Sequence, residues 1–232
     1  MDINFSRFEE RAGVTFKEKS LLRQAFTHRS YINENKNTKF EHNERLEFLG
    51  DAVLELVVTD FLYHKYPGKP EGELTTYRSA LVNAITLAEV ASNFAMNDFL
   101  LLSKGESKDM GRARQYILAN TFEAVIGAIY LDQGYDVAKG FIERSIFVFA
   151  DQMIARGNLV DAKSLFQEKA QEKTGVTPSY KLVREAGPDH DKSFTVGVLI
   201  GKDQVATGEG KSKQEAEQNA ALRALEAKGW NS

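Results

Sequence analysis

The chain of 232 residues contains no cysteine. That excludes disulfides, thiol catalysis and Cys-ligated zinc, and makes a cytoplasmic protein the simplest expectation. Proline is scarce: of four in all, only those at 67 and 70 fall in the first 155 residues, so little there interrupts a helix. No run approaches the ~20 apolar residues needed to span a bilayer. The opening Met-Asp-Ile-Asn-Phe-Ser lacks a basic segment followed by an apolar one, so neither a signal peptide nor a membrane partner is expected. Charge of one sign is missing as well. The net charge is −3, with 19 Lys+Arg against 22 Asp+Glu in residues 1–160 and 11 against 11 thereafter. A nucleic-acid surface would have to be a local patch and not a global field.

What is present is an apolar fraction of 42%, enough for one large or two ordinary domains. Helical patterns cover roughly 4–11, 18–28, 40–65, 71–95, 111–131 and 136–155, separated by loop chemistry such as Asn33-Glu34-Asn35-Lys36-Asn37 and Tyr66-Pro67-Gly68-Lys69-Pro70. The pattern changes after the short polar stretch at 156–161. A helix over about 162–174 ends at Gly175, alternating segments at 179–185, 193–200 and 204–209 read as strands, and a last helix runs from about 213 to 228. The expectation is an all-α domain over 1–156, a linker at 157–161, and a small α+β domain of α-β-β-β-α order over 162–232.

The most informative segment is residues 42–54. Glu44, Glu47 and Asp51 lie at i, i+3 and i+7, within an arc of roughly 60° on a helix turning about 100° per residue. Leu46, Phe48, Leu49, Ala52, Val53, Leu54, Leu56 and Val57 point almost everywhere else, which predicts a buried helix. Three carboxylates on one stripe of a buried helix repel one another and are costly to desolvate. A hard divalent cation with oxygen ligands, Mg2+ or Mn2+, resolves both costs.

Residues 117–130 match this character. Asn120 and Glu123 share a face, and Gly127 lies one turn beyond Glu123, as Gly50 adjoins Asp51. Small residues there allow two helices to approach closely, facing Glu47 and Asp51 against Asn120 and Glu123. A lone helical Glu is ordinarily a surface residue or an ion-pair partner. Three acids on one stripe and an Asn/Glu pair on a second apolar helix favour a site. His28 and His42 have no metal-spaced partner and are read as structural, and Ser30 and Ser79 lack triad spacing.

Residues 42–54 resemble the signature helix of the bacterial ribonuclease III family. Thr27-His28-Arg29-Ser30-Tyr31, Glu71-Gly72-Glu73-Leu74 with Arg78-Ser79-Ala80-Leu81-Val82, and residues 118–132 resemble three further blocks of that family. The resemblance implies Mg2+-dependent cleavage of double-stranded RNA, with Mn2+ able to substitute. It places Glu47, Asn120 and Glu123 at metal-ligand positions and Asp51 and Glu123 at positions essential for catalysis. Glu44 and Glu71 fall at flanking acids of the cleft. It also implies a symmetric homodimer, with Phe48 inserted into the second copy; no other protein partner is predicted. Where the family usually has Asp this chain has Asn120, a neutral and weaker ligand. Asn120 is then a tolerated variant, an introduced change that traps a substrate complex, or the mark of an attenuated enzyme that acts more as a binder.

Residues 162–228 resemble a double-stranded RNA-binding domain, through Leu165-Phe166-Gln167-Glu168, Pro178-Ser179-Tyr180, Gly187-Pro188-Asp189-His190, Phe194 and residues 208–217. Such domains read A-form shape across two minor grooves. The resemblance implies that Gln167 and Gln171 contact ribose hydroxyls and base edges, that His190 enters the next minor groove, and that Lys211, Ser212 and Lys213 meet phosphates. Gln214 stands where the family often has a further Lys.

Overall fold

The computed structural model describes residues 3–108, 111–148, 162–187 and 192–230. The chain divides into two compact units, Met1–Leu159 and Val160–Ser232.

The first unit is helical: α1 Ser6–Ala12, α2 Lys19–Ala25, α3 Arg29–Glu34, α4 Glu44–Lys65, α5 Glu71–Leu81, α6 Ala84–Asn93, α7 Arg112–Gln133 and α8 Tyr135–Ile142, the last continuing into a π turn at Glu143–Phe147. Its axis is α7. From Ile117 to Ile129 almost every side chain is buried, among them Phe122, Val125, Ile126 and Ile129 at 0% exposure, so α7 is wrapped by the other helices on nearly all sides. Phe5, Phe8, Phe26 and Phe99 close one end of the core as tilted and edge-on rings, with Phe8 and Phe26 centroids 4.9 Å apart. Asp132, at the end of α7, accepts the backbone N–H groups of Lys17 and Glu18, both at 2.8 Å, and so fastens the chain entering α2.

At three places where the elements differ from the sequence expectation, a polar side chain explains the difference. The helix expected from 40 starts at Glu44. Buried Asn43 donates its side-chain amide to Ala25 O at 3.1 Å and its N–H to Thr27 O at 2.9 Å, which holds the preceding residues in a loop. The single helix expected over 71–95 is two, because Asn83 caps a new helix by accepting Thr86 N–H at 2.9 Å. Helix α3 lay outside the expected helices; His28 caps it through Nδ1, 3.3 Å from Ser30 N.

The second unit has the order α-β-β-β-α. It runs α9 Ala162–Thr174, β1 Ser179–Ala186, β2 Ser193–Ile200, β3 Asp203–Gly210 and α10 Lys213–Lys228. The strands form one antiparallel sheet of order β1-β2-β3, with a bulge between Leu182 and Arg184. Its core is Phe166, Val198, Ala220, Ala221, Ala224 and Leu225. The alanines of α10 bring its backbone against β3: a Cβ on Gly208 would overlap Ala220 N and Ala216 O.

Candidate active site

Helices α4 and α7 cross backbone to backbone. A Cβ on Gly50 would overlap the Glu123 carbonyl oxygen and lie 2.8 Å from Gly127 N. A Cβ on Gly127 would overlap the Leu46 carbonyl oxygen. The two glycines therefore set the approach that the sequence suggested, and they do so beside the acids. Asn120 hydrogen-bonds the Glu47 carboxylate across the gap, while Asp51, Glu47 and Glu55 all act electrostatically on Glu123. Glu47, Asp51, Asn120 and Glu123 are thus brought to one place by two helices.

The burial expected of α4 is only half right. Asp51 and Glu44 are exposed and Glu47 is half-buried. The desolvation falls mainly on Glu123, whose carboxyl is pushed up to about 8, first by burial and then by Asp51, Glu47 and Glu55. Glu47 is raised from the ordinary carboxylate range by burial and then by Glu44, with the Asn120 hydrogen bond opposing. The apolar side of α4 is not closed either. Phe48, Leu56 and Tyr63 are 80%, 57% and 66% exposed and form one stripe with Ala52 and Thr59.

Among the described residues no three His, Cys, Asp or Glu side chains are gathered closely enough to hold a metal ion on their own. The groups that do come together are the Glu47 and Glu123 carboxylates and the Asn120 amide, which donates to Glu47, with Asp51 acting on both carboxylates. This chemistry fits a hard cation that keeps several of its waters, since such an ion needs only one or two protein carboxylates.

The flanking acids separate. Glu44 pairs with Arg29 at 3.2 Å and lies 3.8 Å from His42 Nδ1, at the start of α4. Glu71 opens α5 and lines a surface cavity of about 390 Å³ with Thr59, Tyr63, Thr75 and Arg78. No described contact joins it to Glu47, Asn120 or Glu123. Sequence reasoning missed Glu55, though it offered Arg78 as an ion-pair partner for the acids. Glu55 continues the acid stripe one turn beyond Asp51, and its carboxylate is held by Arg78 Nε at 3.0 Å. The i+4 spacing was the available signal.

In the second unit, Gln167 and Gln171 line one shallow depression on α9 with Ser164, Glu168, Glu172 and Thr177. Gln171 also accepts from the Thr177 hydroxyl at 3.2 Å. Ser212 Oγ caps α10 by accepting Glu215 N–H at 3.1 Å, which commits that hydroxyl to the helix. Lys211 and Lys213 flank it, exposed, with Lys213 Nζ 5.9 Å from the Phe194 ring centre. His190 lies outside the described residues.

Two facing helices that concentrate carboxylates, joined to an α-β-β-β-α module with lysines at a helix start, define a two-domain protein built to act on a phosphate backbone. The comparisons agree. A Ribonuclease-III-like family pattern matches residues 18–149, and a double-stranded RNA binding motif matches residues 162–228. Ribonuclease 3 of Enterococcus faecalis is 46% identical over 222 residues, covering 96% of each chain. Ribonuclease 3 of Natranaerobius thermophilus is 48% identical over 215 residues, covering 92% of this chain and 91% of its own. Among solved structures, the nuclease domain of ribonuclease III from Campylobacter jejuni superposes with a TM-score of 0.55 at 41% identity, over 61% of this chain and 98% of that one. The chain belongs to the ribonuclease III family of endoribonucleases, whose members depend on a metal ion. No helix among the described residues is long and apolar enough to cross a membrane.

Proposed function

We propose that this chain hydrolyses double-stranded RNA to 5′-phosphate and 3′-hydroxyl ends with Mg2+, Mn2+ being able to substitute. The RNAs would be ribosomal precursors and some messenger and transfer RNAs, in the cytoplasm. The observation that carries the reading is the facing of Glu47 and Asp51 on α4 against Asn120 and Glu123 on α7 across a glycine-to-glycine crossing. Glu47, Asn120 and Glu123 would hold the ion. Bound there, it supplies charge stabilisation at the phosphoryl oxygens and a more acidic water. The chain's own contribution is positioning. Asn120 orients the Glu47 carboxylate, the buried wall of α7 keeps bulk water from Glu123, and exposed Asp51 stands where a water could give up a proton. Residues 162–232 form the RNA-binding domain. Gln167, Gln171 and His190 would meet the minor grooves and Lys211, Ser212 and Lys213 the phosphates. The nuclease domain would span 1–156 and the linker 157–161.

One observation favours a second reading, that of a double-stranded RNA binder with an attenuated nuclease site: Asn120 removes a negative charge from the donor set. Cleavage of a long perfect RNA duplex with and without Mg2+, by this chain, Asp51→Ala and Asn120→Asp, separates the two. Cleavage in Mg2+ that is lost in Asp51→Ala supports the nuclease. Binding without cutting, with cutting restored in Asn120→Asp, supports the binder.

The exposed stripe of Phe48, Leu56 and Tyr63 supports a homodimer, because monomeric proteins rarely leave contiguous large apolar side chains in water. A substitution of Phe48 by Asp is expected to convert the species seen by sedimentation from dimer to monomer at micromolar concentration. An unchanged dimer would move the interface elsewhere.

A further inference from the structure

The face of α7 that carries Asn120 and Glu123 does not end with them. Arg112, Tyr116, Asn120 and Glu123 recur at spacings of 4, 4 and 3, which keeps them within an arc of roughly 80°. Exposure rises steadily along this ridge. Gly127 is sealed against α4, Glu123 and Asn120 are half-buried, Tyr116 is 48% exposed, and Arg112 is exposed. Tyr116 does not serve the core. Its ring runs back toward the helix start, as side chains on helices do. There the Arg112 guanidinium carbon lies 5.9 Å from the ring centre, with Nη2 3.4 Å from Oη. The pairing holds a long, mobile arginine beside an aromatic face in open solvent.

We propose that Arg112 and Tyr116 form a backbone subsite for the RNA strand, seating the ribose and phosphate one and two nucleotides away from the phosphate at Asn120 and Glu123. The inference rests on the cleavage reading of that centre. At 1.5 Å per residue, Tyr116 and Arg112 stand about 6 Å and about 12 Å from Asn120 along the axis, comparable to successive steps of an extended nucleic-acid backbone. Charge argues the same way. The carboxylates of the centre repel a polyanion, and Arg29 and Arg78, near the acids on other elements, are already paired with Glu44 and Glu55. Arg112 is paired with a neutral phenol, so that contact leaves its charge available to a phosphate, and its fork of donors suits a phosphate's oxygens. The phenol of Tyr116 can both donate and accept, which suits a ribose 2′-hydroxyl, the group that marks RNA.

The test is steady-state cleavage of an RNA duplex by the full chain in Mg2+ over a salt series, for Arg112→Ala, Tyr116→Ala and Tyr116→Phe. Thermal melting of each variant confirms that these exposed positions leave the fold intact. Arg112→Ala and Tyr116→Ala are expected to raise KM about tenfold, the scale of one backbone contact, with kcat unchanged. Arg112→Ala should also reduce the slope of log KM against log salt by about one. Tyr116→Phe should raise KM on an all-RNA duplex. It should match the parent when the 2′-hydroxyls flanking the cut are replaced by hydrogen. If the parent cuts and KM and salt slope are the same in all variants, the subsite is wrong and the nuclease reading stands. If kcat falls with KM unchanged, the residues act through the metal centre and the subsite is again wrong. If the parent does not cut, the nuclease reading fails, and duplex affinity over the same salt series still decides the subsite: unchanged affinity in Arg112→Ala overturns it.

Discussion

Substitution of Gly50 by alanine is expected to lower the melting temperature of the nuclease unit by about 10 °C and to remove most of its activity. The added methyl would overlap the Glu123 carbonyl oxygen and press on the Glu123 carbonyl carbon and Gly127 N, at 2.7 and 2.8 Å. These are main-chain atoms of a helix buried on nearly all sides, so no side chain can swing away and α4 must back off from α7. Overpacking of this kind costs about 3 kcal/mol, more where the neighbours are rigid, and a domain of this size loses about 2–4 °C for each kcal/mol. Activity should fall further than stability explains, because the same separation pulls Glu47 from Asn120. Calorimetry and duplex cleavage on one sample check both. Wild-type stability in the variant would mean that the helices are not in contact at this point.

The second large effect is at Glu123. In EDTA, Glu123→Gln should be more stable than the parent at alkaline pH and indistinguishable from it near pH 4.5. The sign follows from proton binding. The native carboxyl titrates at about 8 against an ordinary value of 4.5, so between these values the native state holds a proton that the unfolded chain has released. Stability of the parent is then lost as pH rises through that window, and the loss is complete above about pH 8. Each pH unit of displacement is worth about 1.4 kcal/mol, and partial access of water to the site reduces the total to about 2 kcal/mol. Melting followed from pH 4.5 to 9 should show the glutamine variant gaining about 5 °C on the parent across the window. Saturating Mg2+ should shrink the gain, because the ion stabilises only the protein that binds it. Cleavage by the variant should drop about a thousandfold, the several kcal/mol a metal contributes at the transition state. A parent curve flat from pH 4.5 to 9 in EDTA would show that Glu123 is not held protonated.

Much of this was legible in the chain because it is written in spacing. The i, i+3, i+7 acids and the glycines adjoining Asp51 and following Glu123 by a turn were enough to face α4 against α7. The alternating segments fell on the three strands to within a residue or so at each end. What escaped depends on tertiary contacts. Asn83 looks like any polar residue in an amphipathic run until its amide oxygen takes the Thr86 N–H. The outward stripe of Phe48, Leu56 and Tyr63 is indistinguishable by periodicity from core, since nothing in one helix says which apolar side lacks a neighbour. Glu55 was half legible. Its i+4 spacing from Asp51 places it on the acid stripe, but its contacts with Glu123 and Arg78 join residues far from it in sequence.

The glycine crossing has a consequence for how such a protein can change over generations. Where two helices meet through side chains, their distance drifts as those side chains are exchanged. Here it is set by main-chain atoms, which substitution at Leu54, Val57 or Phe122 does not alter. The gap between Glu47 and Glu123 is therefore insulated from mutation in the surrounding core. The core is free to vary, and the geometry of the site is inherited through two positions that admit no side chain at all.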